Sequence, residues 1–286
     1  MARLLRFLGV LAVVLMSMSW AQAHYNMLLP DKHSVKKGEE VKFTYQWGHP
    51  FEHQLFDAPK PVDFYVLSPD GKKTELTTKL EEAKAKAGDK KEVTVYRFRF
   101  QPSERGDYIF VLKTPLIWME EEKEWWQDRV KVVLHVQTQK GWDATTGEDF
   151  MELVPLTRPY GLEPGMVFQA QALGRREWTA GSQPDKNPGL KDKDAIGNIN
   201  SSLPKALVEF ERYNASPPKD LPPDEQITRA AKTDTNGLVT CTLTDPGWWC
   251  IAAHRDVGTR ERDGKEYPIR QHAIHWVYVD DKRAAK

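Results

Sequence analysis

The fold is decided by the stretch Val41-Lys42-Phe43-Thr44-Tyr45-Gln46-Trp47, in which apolar and polar side chains alternate. Successive side chains of a β-strand point to opposite faces, so this pattern predicts a strand with one buried face. Strand-forming segments recur between turn signals such as Ser68-Pro69-Asp70-Gly71 and Asp234-Thr235-Asn236-Gly237. They cover 63–67, 93–100, 108–112, 130–136, 166–172, 206–213, 238–243, 248–253 and 272–279. The sequence therefore predicts an all-β fold.

The strands fall into two groups, which predict two β-sandwich domains. We expect a sandwich at 24–140, a linker at 141–154 and a second sandwich at 155–286. Gly106-Asp107-Tyr108 is typical of the tyrosine corner of immunoglobulin-like sandwiches. For the C-terminal domain we expect a transthyretin-like or carboxypeptidase-regulatory-like sandwich. We interpret 76–87, rich in Lys, Glu and Ala, as a solvated excursion able to form a short helix, and 174–203 as a loop.

The first 23 residues have the features of a cleavable export signal. Arg3 and Arg6 precede the apolar run 7–16, which is too short to span a bilayer. Ala21-Gln22-Ala23 then fits the pattern of small residues that signal peptidase cleaves. A buried N-terminal helix is the alternative. We expect a periplasmic protein that begins at His24 and has no stable membrane insertion after processing.

The charge balance and the missing motifs exclude several classes of function. The chain has 41 basic and 41 acidic residues, and loss of Arg3 and Arg6 leaves 39 against 41. Such a balance argues against nucleic acid as a partner, because phosphate backbones select a basic face. The sequence contains neither a nucleotide-binding glycine motif nor the G-x-S-x-G or H-E-x-x-H motifs of hydrolases. We therefore predict that the protein is not an enzyme.

Cleavage after Ala23 would create an N-terminal histidine with two metal-binding nitrogens. The α-amine and imidazole of His24 can close one chelate ring, and both groups lose protons near neutral pH. Gly48-His49-Pro50-Phe51-Glu52-His53 follows a predicted strand and places two more imidazoles on a loop. The acidic segment 118–128, which ends at Asp128, would concentrate cations near such a site or supply a ligand. The alternative is that these histidines are structural or lie on the surface.

Two cysteines bracket the turn Asp245-Pro246-Gly247. If the turn joins adjacent strands, Cys241 and Cys250 can approach each other, and we expect a disulfide in an exported protein. Two buried thiols are the alternative. A thioredoxin-like redox site is disfavoured because the spacing is not C-x-x-C.

The remaining histidines give no site by spacing. His272 and His275 are three apart on a predicted strand, so their side chains face opposite sides and cannot share one site. We interpret three further histidines as structural or surface residues: His33, His135 and His254.

Several segments resemble a family of exported bacterial proteins that was long described as a domain of unknown function. The resemblance is carried by Ala23-His24-Tyr25-Asn26-Met27-Leu28-Leu29-Pro30, by 48–52, by the acidic segment 118–128, by 154–162 (VPLTRPYGL) and by 246–249. The family is linked with energy-coupling nickel and cobalt transporters as their periplasmic, NikK-like or NikM-like component. The resemblance implies capture of Ni²⁺ or Co²⁺ for a membrane permease, with His24 and His49 as ligands. His53 is a candidate fourth ligand, and Asp128 stands where the family pattern can have a histidine.

Two other classes of function stay open. An N-terminal histidine with a second histidine is also the copper brace of copper carriers and of oxidative polysaccharide-cleaving enzymes, which would make Cu²⁺ the ligand. Peroxide-dependent turnover would separate such an enzyme from a carrier. A metal-free carbohydrate-binding or adhesion module would instead use Trp118, Trp125 and Trp126 to stack on sugars. A metal titration would separate that module from the other two classes.

Overall fold

The computed structural model describes residues 24–87, 91–146, 151–174 and 201–281, and most of these are in β-strands. The prediction of an all-β fold built from β-sandwiches is confirmed. The predicted export signal at 1–23 and most of the predicted loop at 174–203 lie outside the described residues. In the described ranges, no helix is both long and apolar enough to cross a membrane.

The described strands form three sheets, numbered here in chain order. The N-terminal sheet contains β1 (Tyr25–Pro30), β3 (Val41–His49), β4 (Gln54–Phe56), β7 (Glu81–Ala87) and β8 (Lys91–Phe100). The central sheet contains β2 (Ser34–Val35), β5 (Asp63–Leu67), β6 (Lys73–Glu75), β9 (Gly106–Lys113), β10 (Ile117–Met119), β11 (Glu124–Val136), β15 (Leu207–Arg212), β16 (Arg229–Lys232), β18 (Gly247–Arg262) and β19 (Lys265–Val279). The C-terminal sheet contains β12 (Glu152–Pro155), β13 (Met166–Gly174), β14 (Ser201–Ser202) and β17 (Leu238–Leu243). A 3₁₀ turn (Thr77–Lys79) and helix α1 (Asp224–Ile227) complete the described elements.

The central sheet joins the two halves of the chain. Strand β11 pairs in parallel with β19, from Trp125 opposite Ile269 to Val132 opposite Trp276. Strands from both sides of the predicted boundary at 141–154 therefore share one hydrogen-bonded sheet. The division into domains at 24–140 and 155–286 stays a prediction.

The N-terminal and C-terminal sheets cover opposite faces of the central sheet. Along β18, Cys250 and Ala252 are buried in the core beneath the N-terminal sheet. The alternate residues Ile251 and Ala253 are buried in a second core beneath the C-terminal sheet. Since successive strand residues point to opposite faces, β18 is covered on both sides here. The central sheet is thus the shared middle layer of two sandwiches.

The predicted tyrosine corner forms at the start of β9. The backbone N–H of Glu104 donates to the Tyr108 hydroxyl oxygen at 2.9 Å, and the hydroxyl lies 3.4 Å from the Glu104 carbonyl. A tyrosine bonded to the backbone a few residues upstream fixes the approach to the strand. This local motif was readable from the sequence.

The interpretation of 76–87 as a solvated excursion with helical character is wrong. Only Thr77–Lys79 forms a 3₁₀ turn, and 81–87 is strand β7 in the N-terminal sheet, paired with β8. Ala83 and Ala85 pack against the core, while the Glu and Lys side chains of β7 are exposed. The sequence EEAKAKA has a period of two, which suits a strand, and its charges protect an exposed edge from aggregation.

The expected disulfide between Cys241 and Cys250 is also wrong, because both residues are free cysteines. Cys241 lies on β17 in the C-terminal sheet, whereas Cys250 lies on β18 in the central sheet. The turn between them carries the chain from one sheet to another and does not form a hairpin. Cys250 faces the first core and Cys241 packs against the second. Burial raises the pKa of Cys241 to about 12, so it is an unreactive thiol.

Candidate functional site

The candidate site begins where β3 turns into β4. Gly48 has φ +149°, and a Cβ atom there would lie 2.0 Å from the Gln54 carbonyl oxygen. Only glycine permits this close approach of the two strands. The hairpin pairs His49 with Gln54 and holds His49 at the end of β3, where it is 5% exposed.

His24 is placed beside His49 by the pairing of β1 with β3. Tyr25 lies opposite Gly48 in the antiparallel register, which brings the preceding residue next to the end of β3. The ring centroids of His24 and His49 are 4.5 Å apart, with the planes tilted by 58°. Three aromatic rings surround His24 at centroid distances of 5.3–5.9 Å: Phe56, Trp126 and Trp47. The structure therefore brings together two of the predicted metal ligands.

The chemistry of His49 suits a metal ligand. Its Nε2 atom is buried and has no hydrogen-bond partner among the described residues. Burial lowers the pKa of His49, although Glu52, Glu121 and Glu122 oppose that shift electrostatically. The ring is therefore neutral near pH 7 and keeps a lone pair for a metal ion. The same three carboxylates give the surroundings of His49 a negative potential that attracts cations.

The separation of the two rings also fits a shared ion. Imidazoles that bind one ion through bonds of about 2.1 Å at about 90° have ring centroids roughly 4.5 Å apart. The centroid distance of the His24–His49 pair agrees with that value, but the pair supplies only two side chains. No three His, Cys, Asp or Glu side chains within the described ranges converge on one metal position. A third donor has to come from elsewhere, and the α-amine of a processed His24 is one.

His53 is engaged with the C-terminal half of the chain. Its Nδ1 atom lies 2.9 Å from the carbonyl oxygen of Asn214, and its ring contacts Tyr213 at a centroid distance of 5.9 Å. The Asn214 side chain in turn donates to the carbonyl of Phe51. The contacts of His53 fasten the 50–53 loop to the segment after β15.

Asp128 is a buried anchor that holds other side chains. It is 1% exposed, and its Oδ2 accepts a hydrogen bond of 2.7 Å from the Asn26 side chain. Its Oδ1 accepts one of 2.8 Å from Nδ1 of His272. Both carboxylate oxygens of Asp128 therefore already accept hydrogen bonds. One of the two donors, His272, is not among the metal ligands predicted from the sequence.

A second histidine pair lies behind Trp126. His254 and His272 are directly opposite on β18 and β19, with ring centroids 4.5 Å apart and planes tilted by 62°. The Trp126 ring contacts His272 at 4.8 Å and His24 at 5.8 Å, so it stands between the two pairs. The prediction that His272 and His275 face opposite sides is confirmed, because His275 lies near Phe168 of the second core.

A carboxylate accompanies the second pair. Glu209 lies on β15, the neighbour of β18, and its Oε2 is 2.9 Å from Nε2 of His254. The Tyr25 hydroxyl donates to the same oxygen at 2.7 Å. Burial opposes the charge of Glu209, but the contacts with His254 and Tyr25 hold its pKa below the usual value. Burial and the neighbouring His272 lower the pKa of His254.

Comparison with solved structures gives only weak similarities. A DUF4785 family protein of Legionella pneumophila is 11% identical, with 82% of this chain covering 54% of that protein at a TM-score of 0.28. Salmonella alpha-2-macroglobulin reacted with methylamine is 11% identical, with coverages of 92% and 15% and a TM-score of 0.24. The Yersinia pseudotuberculosis adhesin InvE is 12% identical, with coverages of 87% and 58% and a TM-score of 0.20. The chain thus spans about half of the first protein and a small part of the second. Similarities this weak carry no conclusion about function.

Sequence comparison gives a firmer result. No curated protein matches the chain. A protein-family profile with the description "Domain of unknown function (DUF4198)" matches residues 21–176, which is 156 of the 286 residues. The matched region includes His24, His49 and Asp128. The chain therefore belongs to the DUF4198 family of domains of unknown function.

Proposed function

We propose that the mature protein captures a divalent late transition metal, Ni²⁺ or Co²⁺, in the periplasm and delivers it to a membrane permease. The ligands are the α-amine and imidazole of His24 together with the imidazole of His49. The observation that carries the proposal is the His24–His49 pair, with ring centroids 4.5 Å apart and a buried Nε2 atom on His49 that has no hydrogen bond among the described residues.

The α-amine completes the donor set. Removal of residues 1–23 would turn the backbone nitrogen of His24 into an amine on the same residue as one of the two imidazoles. Amine and imidazole nitrogens suit Ni²⁺, Co²⁺ and Cu²⁺ better than Ca²⁺ or Mg²⁺. Three protein nitrogens leave coordination positions open, through which the ion can pass to a receiving ligand.

The choice of cargo does not follow from affinity. In the Irving–Williams order Cu²⁺ binds most tightly to nitrogen ligands, whichever ion the protein meets in the cell. Cu²⁺ therefore remains the alternative cargo for the same ligands. Metal analysis of protein purified from the periplasm identifies the resident ion.

The carbohydrate-binding alternative gains no support from the tryptophans. The guanidinium of Arg262 lies 4.7 Å from the Trp118 ring centroid, and that of Arg260 lies 4.9 Å from the Trp125 centroid. Trp126 is buried beside His24 and His272. These rings contact the protein's own side chains and do not present one flat, open face.

The proposal is tested by calorimetry of Ni²⁺ binding to the mature chain. His49→Ala should weaken the tight binding step by about 100-fold, because it removes one of three nitrogen ligands. His33→Ala is the matched control, since His33 is a part-buried histidine that contacts Asp280 and Tyr278 elsewhere. Unchanged affinity in His49→Ala would overturn the proposal.

Processing is the premise of the proposal and has its own test. Mass spectrometry of the exported protein should give a chain that begins at His24. A different first residue would remove the amine ligand. Ni²⁺ binding should also weaken as the pH falls below about 7.7, the reference pKa of an α-amine, because protons then compete with the metal.

A further inference from the structure

Three adjacent strands of the central sheet present donor groups on one face. Glu209 on β15, His254 on β18 and His272 on β19 all point toward the N-terminal sheet, on the same face as Cys250 and Ala252. His254 and His272 are directly opposite each other, and Glu209 is the diagonal neighbour of His254. Side chains related in this way are close enough to bind one small ligand.

His272 has the arrangement of a metal-binding histidine. Its Nδ1–H donates to Asp128, and the Asn26 side chain fixes that carboxylate from the other side. A carboxylate on one ring nitrogen orients the imidazole and raises the basicity of the other nitrogen. That other nitrogen, Nε2, is buried and has no hydrogen-bond partner in the described part of the chain. A buried nitrogen without a protein partner is uncommon in folded proteins, and either a water molecule or a metal ion can supply the missing partner.

The distances around His254 are compatible with a shared ion. Two donor atoms, each about 2.1 Å from one ion, lie roughly 3.0–3.4 Å apart. Nε2 of His254 is already 2.9 Å from Oε2 of Glu209, and its ring centroid is 4.5 Å from that of His272. The side chains of His254 and Glu209 are 14% and 17% exposed, although the Nε2 atom of His254 is itself buried.

We propose that Glu209, His254 and His272 form a second metal site, which takes a divalent late transition metal such as Zn²⁺ or Co²⁺. Two imidazoles and one carboxylate would bind the ion, and water would complete its coordination. The three donors do not converge in the described structure, so binding requires the direct contact between His254 and Glu209 to open. The site uses no N-terminal amine and is independent of the proposed function.

The test uses a mature chain extended by one Gly before His24, which converts the α-amine into an amide and leaves every side chain in place. Calorimetry with Co²⁺ should show one bound ion, with the visible absorption of a coordinated cobalt ion. His254→Gln in the same extended chain should weaken binding by about 100-fold. His33→Gln is the matched control and should bind as the parent does. His254 is part-exposed, so its substitution is tolerated better than that of buried His272, and thermal unfolding without metal verifies the fold.

The outcomes separate the two proposals. The second site is overturned if the Gly-extended chain binds no Co²⁺, or if His254→Gln binds it as tightly as the parent. The proposed function fails instead if, in chains that carry His254→Gln, the Gly extension leaves tight Ni²⁺ binding unchanged. Both sites are supported if two results are obtained together. The Gly extension should abolish tight Ni²⁺ binding, and the extended chain should still bind one Co²⁺ ion until His254 is replaced.

Discussion

The two histidine pairs have the same ring separation, 4.5 Å, but differ in what holds them. The His24–His49 pair lies at the end of the N-terminal sheet, inside a ring of aromatic side chains. The His254–His272 pair is tied to Asp128 and Glu209, which belong to two other strands of the central sheet. One pair is therefore surrounded by apolar rings, and the other is part of a buried polar network.

This difference sets different requirements for the two proposed metal sites. Among the described residues, no carboxylate is hydrogen-bonded to His49 and no third side-chain donor joins the first pair, so in our proposal the third donor is the α-amine that processing creates. The second pair is assembled by strand register, which also places Asp128 and Glu209 in direct contact with the two imidazoles. Substitutions in the network should therefore affect stability and the second site together, whereas substitutions at His49 should affect metal binding most.

The largest expected effect is that of Asp128→Ala. It leaves two buried donors without an acceptor, Nδ2 of Asn26 and Nδ1 of His272, and should lower the free energy of unfolding by about 2–5 kcal/mol. Chemical denaturation measures the change. Asp31→Ala is the control, because it removes an exposed carboxylate that accepts only one described bond, from the Lys42 backbone. If Asp128→Ala and Asp31→Ala lower the free energy of unfolding equally, the hydrogen bonds of Asp128 do not stabilise the His254–His272 pair.

A comparable effect should appear in the pH dependence of stability. Glu211 lies on β15 beside Cys250 and accepts hydrogen bonds from the Phe51 backbone and Thr228, so it links the 50–53 loop to the central sheet. Burial raises the pKa of Glu211 to about 8, with Glu52 and Glu209 adding to the rise. The folded state therefore keeps a proton that the unfolded state loses near pH 4.3, and this stabilisation is lost as the pH rises toward 8.

Glu211→Gln removes this titration and checks the sign. Its stability relative to the native protein should increase by about 4 kcal/mol in total between pH 5 and pH 9, because each pH unit between the two pKa values contributes about 1.4 kcal/mol. Thermal or chemical unfolding at several pH values measures the difference. A constant difference across that range would mean that Glu211 ionises in the folded protein at its ordinary pKa.

The smallest effect should be that of His53→Ala on metal affinity. Because Nδ1 of His53 is engaged with the Asn214 carbonyl, its loss should change Ni²⁺ affinity by less than about twofold. Stability should fall by about 1 kcal/mol, the contribution of one hydrogen bond. If calorimetry instead shows that Ni²⁺ affinity falls tenfold or more, His53 is a metal ligand. The 50–53 loop would then belong to the same metal site as the His24–His49 pair.

Much of the fold was predictable because most strands carry alternating or continuous apolar residues. Strands β3, β5, β8, β9, β13, β15 and β17 lie where the sequence placed them. The parallel pairing of β11 with β19 was not predictable, since it joins residues about 140 positions apart and leaves no local pattern. The same missing information produced the false disulfide, because a turn motif does not reveal whether its two strands share a sheet.

The candidate site was predictable only in part. His24 and His49 were found from the export signal and from the loop after β3. The sequence indicates only a structural or surface role for His254, because no local pattern reveals that it lies opposite His272. The Asp263-Gly264 turn pairs Arg262 with Lys265, and a regular hairpin would then place His254 opposite Ala273. An irregularity between Asp256 and Thr259 shifts the register by one residue and brings His254 opposite His272.

The most direct test of the central claim compares Ni²⁺ affinity in two proteins that differ only at the N-terminus. Both carry His254→Gln, which removes the second proposed site. One begins at His24, and the other carries a single Gly before it. Calorimetry should show that the extension weakens the tight step by about 100-fold, because an amide nitrogen does not replace the amine. Equal affinity in the two proteins would contradict the chelate at His24 and with it the proposed role in metal capture.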